Sequence, residues 1–203
     1  MSKPYLVGVT GGIGSGKSTL CKVYEILGSK CYYADDRAKQ LMENNQDLIT
    51  KITVLFGAEA YVDGRLNRKE IGRQVFRNQA LLEQLNQLVH PAVKDDFRLW
   101  VEENRNVDVL LKEAALLFET GSYKELDRTI LVTADREVRM QRVLHRDSHR
   151  SKEDVIGIMD KQLPDTQKSV LADYIVSNDG SNSLIKQALD IYKKLSPPSP
   201  STF

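Results

Sequence analysis

A chain of 203 residues, 41% hydrophobic and 28% charged with a formal net charge of +1, is long enough to bury a substantial core. The balanced charge argues against a dedicated nucleic-acid or membrane-surface protein, whose phosphate contacts demand a basic excess. Two cysteines, Cys21 and Cys31, are too few for a metal cluster or disulfide framework. Their apolar surroundings suit small buried hydrophobes in a reducing cytosol.

Strand-like and helix-like stretches alternate along the chain. Tyr5–Thr10 is a short apolar run that ends at glycines, and Lys17 to Leu27 reads as a helix with Leu20, Val23, Tyr24 and Leu27 on one face, stopped by Gly28. Lys30–Tyr33 is a second strand candidate, closed by Ala34-Asp35-Asp36. Between it and Val107 lie more than 70 residues that read as helices, with a turn at Asp63-Gly64 and a capping box from Asn67 to Glu70. No single crossover helix needs that length, so an inserted helical subdomain is expected. Val107–Leu111, Thr129–Thr133 and Asp173–Val176 are further strand candidates. Runs apolar on both faces, separated by helices, predict a parallel sheet covered on both sides. A helix crowded with arginine follows Asp135, and another is expected to start at Ser151, with Asp154 three residues on, and to run to Gln162 before Pro164. Residues 196–203, rich in proline and serine, are expected to be disordered. The N-terminus has no signal-peptide pattern, and the longest apolar stretch, Ala114–Phe118, falls far below the roughly 18 residues of a membrane span. A cytoplasmic protein that binds no membrane is expected.

The glycines after the first strand carry the chemistry. Thr-Gly-Gly-Ile-Gly-Ser-Gly-Lys-Ser-Thr, Thr10 to Thr19, matches G-x-x-x-x-G-K-S/T through Gly11, Gly16, Lys17 and Ser18. Such glycines let backbone amides converge on one point, and a following helix adds its N-terminal dipole, so the bend is an anion site. Gly11, Gly12, Ile13, Gly14, Ser15, Gly16, Lys17, Ser18 and Thr19 are the candidate nucleotide-binding residues. Lys17 suits the β- and γ-phosphates and the Ser18 hydroxyl suits Mg²⁺. A switch GTPase is disfavoured: Asn-Lys-x-Asp is absent, and the one D-x-x-G string, Asp154 to Gly157, lies in a helix. A small-molecule kinase using ATP and Mg²⁺ remains, with an ATP-driven motor or switch as the rival.

Arg136, Arg139, Arg142, Arg146 and Arg150 share one face if the helix after Asp135 persists. Six Lys/Arg stand against two acids between Arg136 and Lys152. Taken alone this pattern favours a solvated face, but beside the glycine loop a lid is favoured, since kinases close lids over the triphosphate and use guanidinium groups to stabilise transferring charge. Arg142 and Arg146 are the favoured catalytic pair. Transfer to an alcohol also needs a carboxylate to accept its proton. Asp35 and Asp36, past the second strand, hold the place where open parallel sheets gather function, although either would also cap a helix. Glu113 and Glu119 stand beyond the third strand as substrate, metal-shell or structural acids. His90, before Pro91, is a further candidate, with a helix-end or packing role as the alternative.

In order along the chain, Val7–Ser18, Tyr33–Ala38, Val75-Phe76, Leu88–Pro91, Leu116–Gly121, Arg142 through Asp147, Gln162, Ala172–Ile175 and Asn178 through Gly180 resemble the dephospho-coenzyme A kinase family. The resemblance reaches to about Leu195. It implies a P-loop NTPase-type α/β fold: a parallel sheet flanked by helices, with a helical substrate-binding insertion at 34–104 and a lid at 136–164. The nucleotide-binding core would be 1–33, 105–135 and 165–195. The family phosphorylates the ribose 3′-hydroxyl of dephospho-coenzyme A with ATP, in the last step of coenzyme A synthesis. It implies Asp35 as the proton acceptor, with Lys17, Arg142 and Arg146 also catalytic, and Asp35, His90 and Glu119 on the acceptor. A runner-up is another small-molecule kinase acting on a nucleoside, nucleotide or sugar acid. No nucleic-acid partner is expected, and a monomer or weak homo-oligomer is. Three positions depart from the family's usual pattern. Tyr33 replaces the first acid of Asp-Ala-Asp, Ala115 replaces a proline, and Glu113 stands near a usual aspartate.

Overall fold

The computed structural model describes residues 3–195, so the tail at 196–203 lies outside the described residues. The chain forms two compact units, one built from residues up to Tyr33 and from Asn104 onward, the other from Ala34–Glu103. The first begins with β1 (Tyr5–Thr10), α1 (Lys17–Ile26) and β2 (Lys30–Tyr33). The second contains α2 (Ala34–Asn44), α3 (Gln46–Phe56), β3 (Tyr61–Val62), β4 (Arg65–Leu66), α4 (Arg68–Arg77) and α5 (Gln79–Glu103). The chain then returns to the first unit as β5 (Val109–Glu113), β6 (Arg128–Thr133), α6 (Arg136–Arg146), α7 (Lys152–Asp160), α8 (Asp165–Leu171), β7 (Tyr174–Ser177) and α9 (Leu184–Leu195).

The first unit is a parallel five-stranded sheet in the order β2-β5-β1-β6-β7. Val7, Val9, Val109, Leu111, Ile130, Val132 and Val176 share one core with Leu20, Cys21 and Tyr24 of α1 and Ala188, Ile191 and Leu195 of α9. Leu6, Leu110 and Leu131 are buried as well, so the central strands are covered on both faces, as their apolar runs require. Register then decides what meets at the carboxyl ends. Val9 pairs with Glu113, Tyr33 pairs with Glu113 from the other side, and Thr10 pairs with Leu131.

The third strand is shifted two residues from the apolar run expected at Val107–Leu111. Val107 N donates to Asn104 O in a turn, and the ladder starts where Tyr5 N donates to Asp108 O. Pairing on both sides then carries the polar Lys112 and Glu113 into the buried sheet. The strand past Asp173 likewise starts one residue late. The Asp173 carboxylate accepts from Thr129 N and Thr129 Oγ1, both at 2.8 Å, at the start of β6.

The second unit has its own core of Leu48, Ile52, Phe56, Ala60, Ile71 and Val89. It is not helical throughout, because a short hairpin interrupts the helices. Asp63 at φ 50° and Gly64 at φ 74° form a two-residue turn that pairs Tyr61 with Leu66 and Val62 with Arg65. Asn67 caps α4 by accepting from Glu70 N at 3.2 Å. The Glu70 carboxylate turns instead to Arg73 and Gln74, and these hydrogen bonds, Arg73's foremost, hold its pKa down to about 2.

Two helices near the C-terminal half also differ from expectation. α6 stops at Arg146, so Arg150 lies beyond its face, and Asp147 gathers both arginines, at 2.9 and 3.2 Å. α7 starts behind Ser151 with a complete capping box, Asp154 N to Ser151 Oγ at 3.1 Å and Ser151 N to Asp154 Oδ2 at 3.0 Å. It ends at Asp160 rather than Gln162. α8 then follows Pro164 with no apolar face to announce it: Val170 and Leu171 are exposed, and its buried residue is Lys168.

Candidate active site

The glycine loop joins β1 to α1, and its geometry depends on the absence of side chains. Gly16 sits at the N-cap of α1 with φ 98°, where a Cβ would overlap Nδ2 of Asn178, and a Cβ on Gly14 (φ 76°) would strike the Arg139 backbone. The loop closes on itself through Ser15 N to Gly12 O at 3.1 Å. Asn178, just past β7, donates to Ser15 O at 2.8 Å. Among the described residues the amides of Gly14, Gly16 and Ser18 carry no hydrogen bond. The buried hydroxyls of Thr10 and Ser15 have no partner either. Free donors at the start of a helix form a site for phosphate.

Lys17 extends back over this loop. Its Nζ lies 3.5 Å from Gly12 O and 3.8 Å from Oε1 of Glu113, at the end of β5. Ser18 and Thr19 are exposed in the first turn of α1. The loop's other flank is covered by the arginine helix and the segment after α7. Ile13 packs against Met140, Val143, Val155 and Met159, which join α6 to α7. Ile13 N donates to Gln162 Oε1 at 2.9 Å.

Of the arginines, Arg142 Nη1 stands 3.5 Å from Gly14 O. Arg146 points elsewhere: its side chain is 64% exposed and holds Asp147 at 2.9 Å, which pulls the Asp147 pKa down to about 2. Arg139, on the same face but outside the favoured pair, also lies against the loop. A Cβ on Gly12 would fall on its Nη1, and Asp165 lies 3.7 Å from that guanidinium.

Glu119 is engaged by the protein itself. Its Oε1 accepts from Leu163 N at 3.1 Å and pairs with Lys168 Nζ at 2.9 Å. Nothing in the sequence marked Lys168, because a lysine in Asp-Thr-Gln-Lys-Ser reads as solvent-exposed until a distant carboxylate is brought to it. Tyr33 donates its hydroxyl to Glu25 on α1 at 3.1 Å, and burial raises its pKa far above the usual phenol range. A hydrogen bond with Cys31, together with burial, raises the Cys21 thiol well above its ordinary value, which removes it from nucleophilic chemistry at neutral pH.

In the second unit, Asp35 and Asp36 occupy the first turn of α2. They differ in their partners. Asp36 is paired with Lys39 at 2.6 Å, whereas the exposed Asp35 carboxylate has no hydrogen bond or ion pair among the described residues. His90 is exposed midway along α5, away from either helix end, and Pro91 sits inside that 25-residue helix. No helix among the described residues is long and apolar enough to cross a membrane.

Known proteins bear the same pattern. The dephospho-CoA kinase family profile matches residues 5–183. A dephospho-CoA kinase of Chlorobium luteolum is 41% identical over 202 residues, covering 96% of this chain and 92% of its own. One of Salinibacter ruber is 40% identical over 92% of this chain and 95% of its own. Among solved structures, a Thermus thermophilus protein superposes with a TM-score of 0.83 at 34% identity, covering 97% of this chain and all of its own. A dephospho-CoA kinase from Campylobacter jejuni gives 0.68 at 26% identity, covering 94% of this chain and 96% of its own. With the family profile over most of its length and a relative 41% identical across nearly all of it, the chain belongs to the dephospho-CoA kinase family.

Proposed function

We propose that the chain transfers the γ-phosphoryl group of ATP to the ribose 3′-hydroxyl of dephospho-coenzyme A, giving coenzyme A and ADP. The observation that carries this reading is a glycine loop with unpaired amides and Lys17 bent over it, in a chain that belongs to this family. The loop amides and the start of α1 receive the phosphates, and Lys17 balances the charge of the β- and γ-groups. Asp35 takes the proton of the 3′-hydroxyl as that oxygen bonds to the γ-phosphorus and the bond to the β,γ-bridging oxygen breaks. The open carboxylate of Asp35, against the lysine-bound Asp36, supports that choice. Arg142, with Arg146 once freed from Asp147, stabilises charge on the transferring group from the lid, 136–164. The insertion, 34–104, takes the acceptor, with His90 on its surface.

Ser18 would hold Mg²⁺. Its exposed hydroxyl has no partner among the described residues, and a hydroxyl with phosphate and water oxygens is the hard shell this ion takes. Among the described residues no His/Cys/Asp/Glu cluster could hold a metal, which fits an ion bound through the nucleotide. When bound, the ion neutralises charge between the phosphates. Unbridged Cys21 and Cys31 suit a reducing cytoplasm. A coupled ADP-release assay tests the whole reading. ADP release that depends on dephospho-coenzyme A, one per phosphorylated acceptor, is the expected result. ADP release indifferent to the acceptor would make the chain a nucleotide-driven switch.

A further inference from the structure

We infer that Glu119 is a positioning residue for the ATP site, acting through Leu163 and Gln162 on the glycine loop rather than on the acceptor. This rests on the kinase reading above.

Seven residues, 162 to 168, carry a set of tethers that converge on the loop. Gln162 Oε1 accepts from Ile13 N at 2.9 Å. Leu163 N donates to Glu119 Oε1 at 3.1 Å. Asp165 lies 3.7 Å from Arg139, whose guanidinium rests on Gly12. Lys168, with 0% exposure, pairs with Glu119 at 2.9 Å. Glu119 and Gln162 are thus linked by one residue of chain. Pro164 stiffens that link, since it fixes its own φ (here −57°) and pushes Leu163 toward extended backbone. Any shift of Leu163 is passed to Gln162, and from there to the amide of Ile13 in the middle of the phosphate-binding loop.

A buried ion pair is weak evidence for stability, because apolar packing of the same volume often serves as well. Its value lies in placement. The Glu119 Oε2 atom and Arg139 Nε are buried without a hydrogen-bond partner, and the Lys168 ammonium meets Glu119 as an ion pair without hydrogen-bond alignment. Chemistry held at that cost, at the point where the lid returns to the core, sets geometry and not merely cohesion.

The test measures ATP affinity by calorimetric titration without acceptor, so it stands even if dephospho-coenzyme A proves not to be the substrate. Glu119→Ala combined with Lys168→Met removes both charges and the acceptor for Leu163 N. Its Kd for ATP should rise roughly tenfold, the scale of one lost hydrogen bond, with KM for dephospho-coenzyme A within about twofold. Glu119→Gln with Lys168→Met restores an acceptor oxygen and should recover most of that loss. Gln162→Ala, which leaves the buried pair intact, should weaken ATP by a similar factor and add little to the Glu119→Ala/Lys168→Met background. A rise in acceptor KM with ATP binding unchanged would make Glu119 a substrate contact and overturn the inference. A lowered melting temperature with unchanged ATP affinity would reduce the pair to structure and overturn it equally.

Discussion

Lys17 Nζ lies 3.8 Å from Glu113 Oε1, and the two side chains are only 11% and 9% exposed. The lysine is therefore not a free surface charge. It is held along the loop at the carboxyl end of β5, with its stem buried and its ammonium positioned before any nucleotide arrives. For the role proposed for Lys17, an ammonium already held in place would spare the ordering cost of a long side chain.

Lys17→Ala should lower turnover by at least about 10²–10³, the scale for losing one charge-stabilising donor. Circular dichroism should show the same fold with a modestly lower melting temperature. Turnover close to wild type would mean that the glycine loop is not the donor site.

Arg142→Ala and Arg146→Ala should both lower kcat more than they raise the acceptor's KM. Arg142 is the larger effect, on the order of 10³ if it meets the transferring group. Under the proposed lid role Arg146 would first have to exchange Asp147 for phosphate, so its effect should be the smaller. Steady-state kinetics with both substrates varied decides this. Changes within about twofold in both variants, the range of ordinary surface substitutions, would return this face to solvent.

Asp35→Asn should cost roughly 10²–10⁴ in turnover with ATP affinity little changed. Asparagine is nearly isosteric and serves equally well near a helix start, so melting temperature should not move. Asp36→Asn removes only an exposed pair with Lys39 and should be mild. Were Asp36→Asn the crippled variant, the proton acceptor would be misassigned by one residue.

Acid should loosen the turn after β7. The Ser181 hydroxyl and amide, then the Ser177 hydroxyl, donate to Asp179 and hold its pKa down to about 2 from an ordinary 3.8. A depressed carboxylate stabilises the fold fully above its unfolded pKa and loses that contribution as pH falls through its folded value. Urea unfolding of wild type and Asp179→Asn should differ at pH 6 and converge between about pH 4 and pH 2. A constant difference across that window would show that the charge of Asp179 contributes nothing.

The phosphate loop was legible in the sequence because its determinants are local: glycines, a lysine and a hydroxyl within one turn, bounded by a two-faced apolar run and a helix of clear period. The parallel sheet was legible for the same reason, since burial on both faces writes itself as continuous Val, Ile and Leu. What only the tertiary structure decided concerns polar groups whose partners are far away in the chain. Gln162 reaches Ile13 across 149 positions, and Asn178 reaches Ser15 across 163. Lys112 and Glu113 belong to a buried strand because their neighbours' register extends over them, although neither is apolar. Lys168 is buried because Glu119 meets it, and Arg139 and Arg142 both come against the loop because α6 packs through Met140 and Val143 onto Ile13. Hydrophobic periodicity reports which face of an element is covered, but a charge can be buried only beside its partner, and that pairing exists only once the chain has folded.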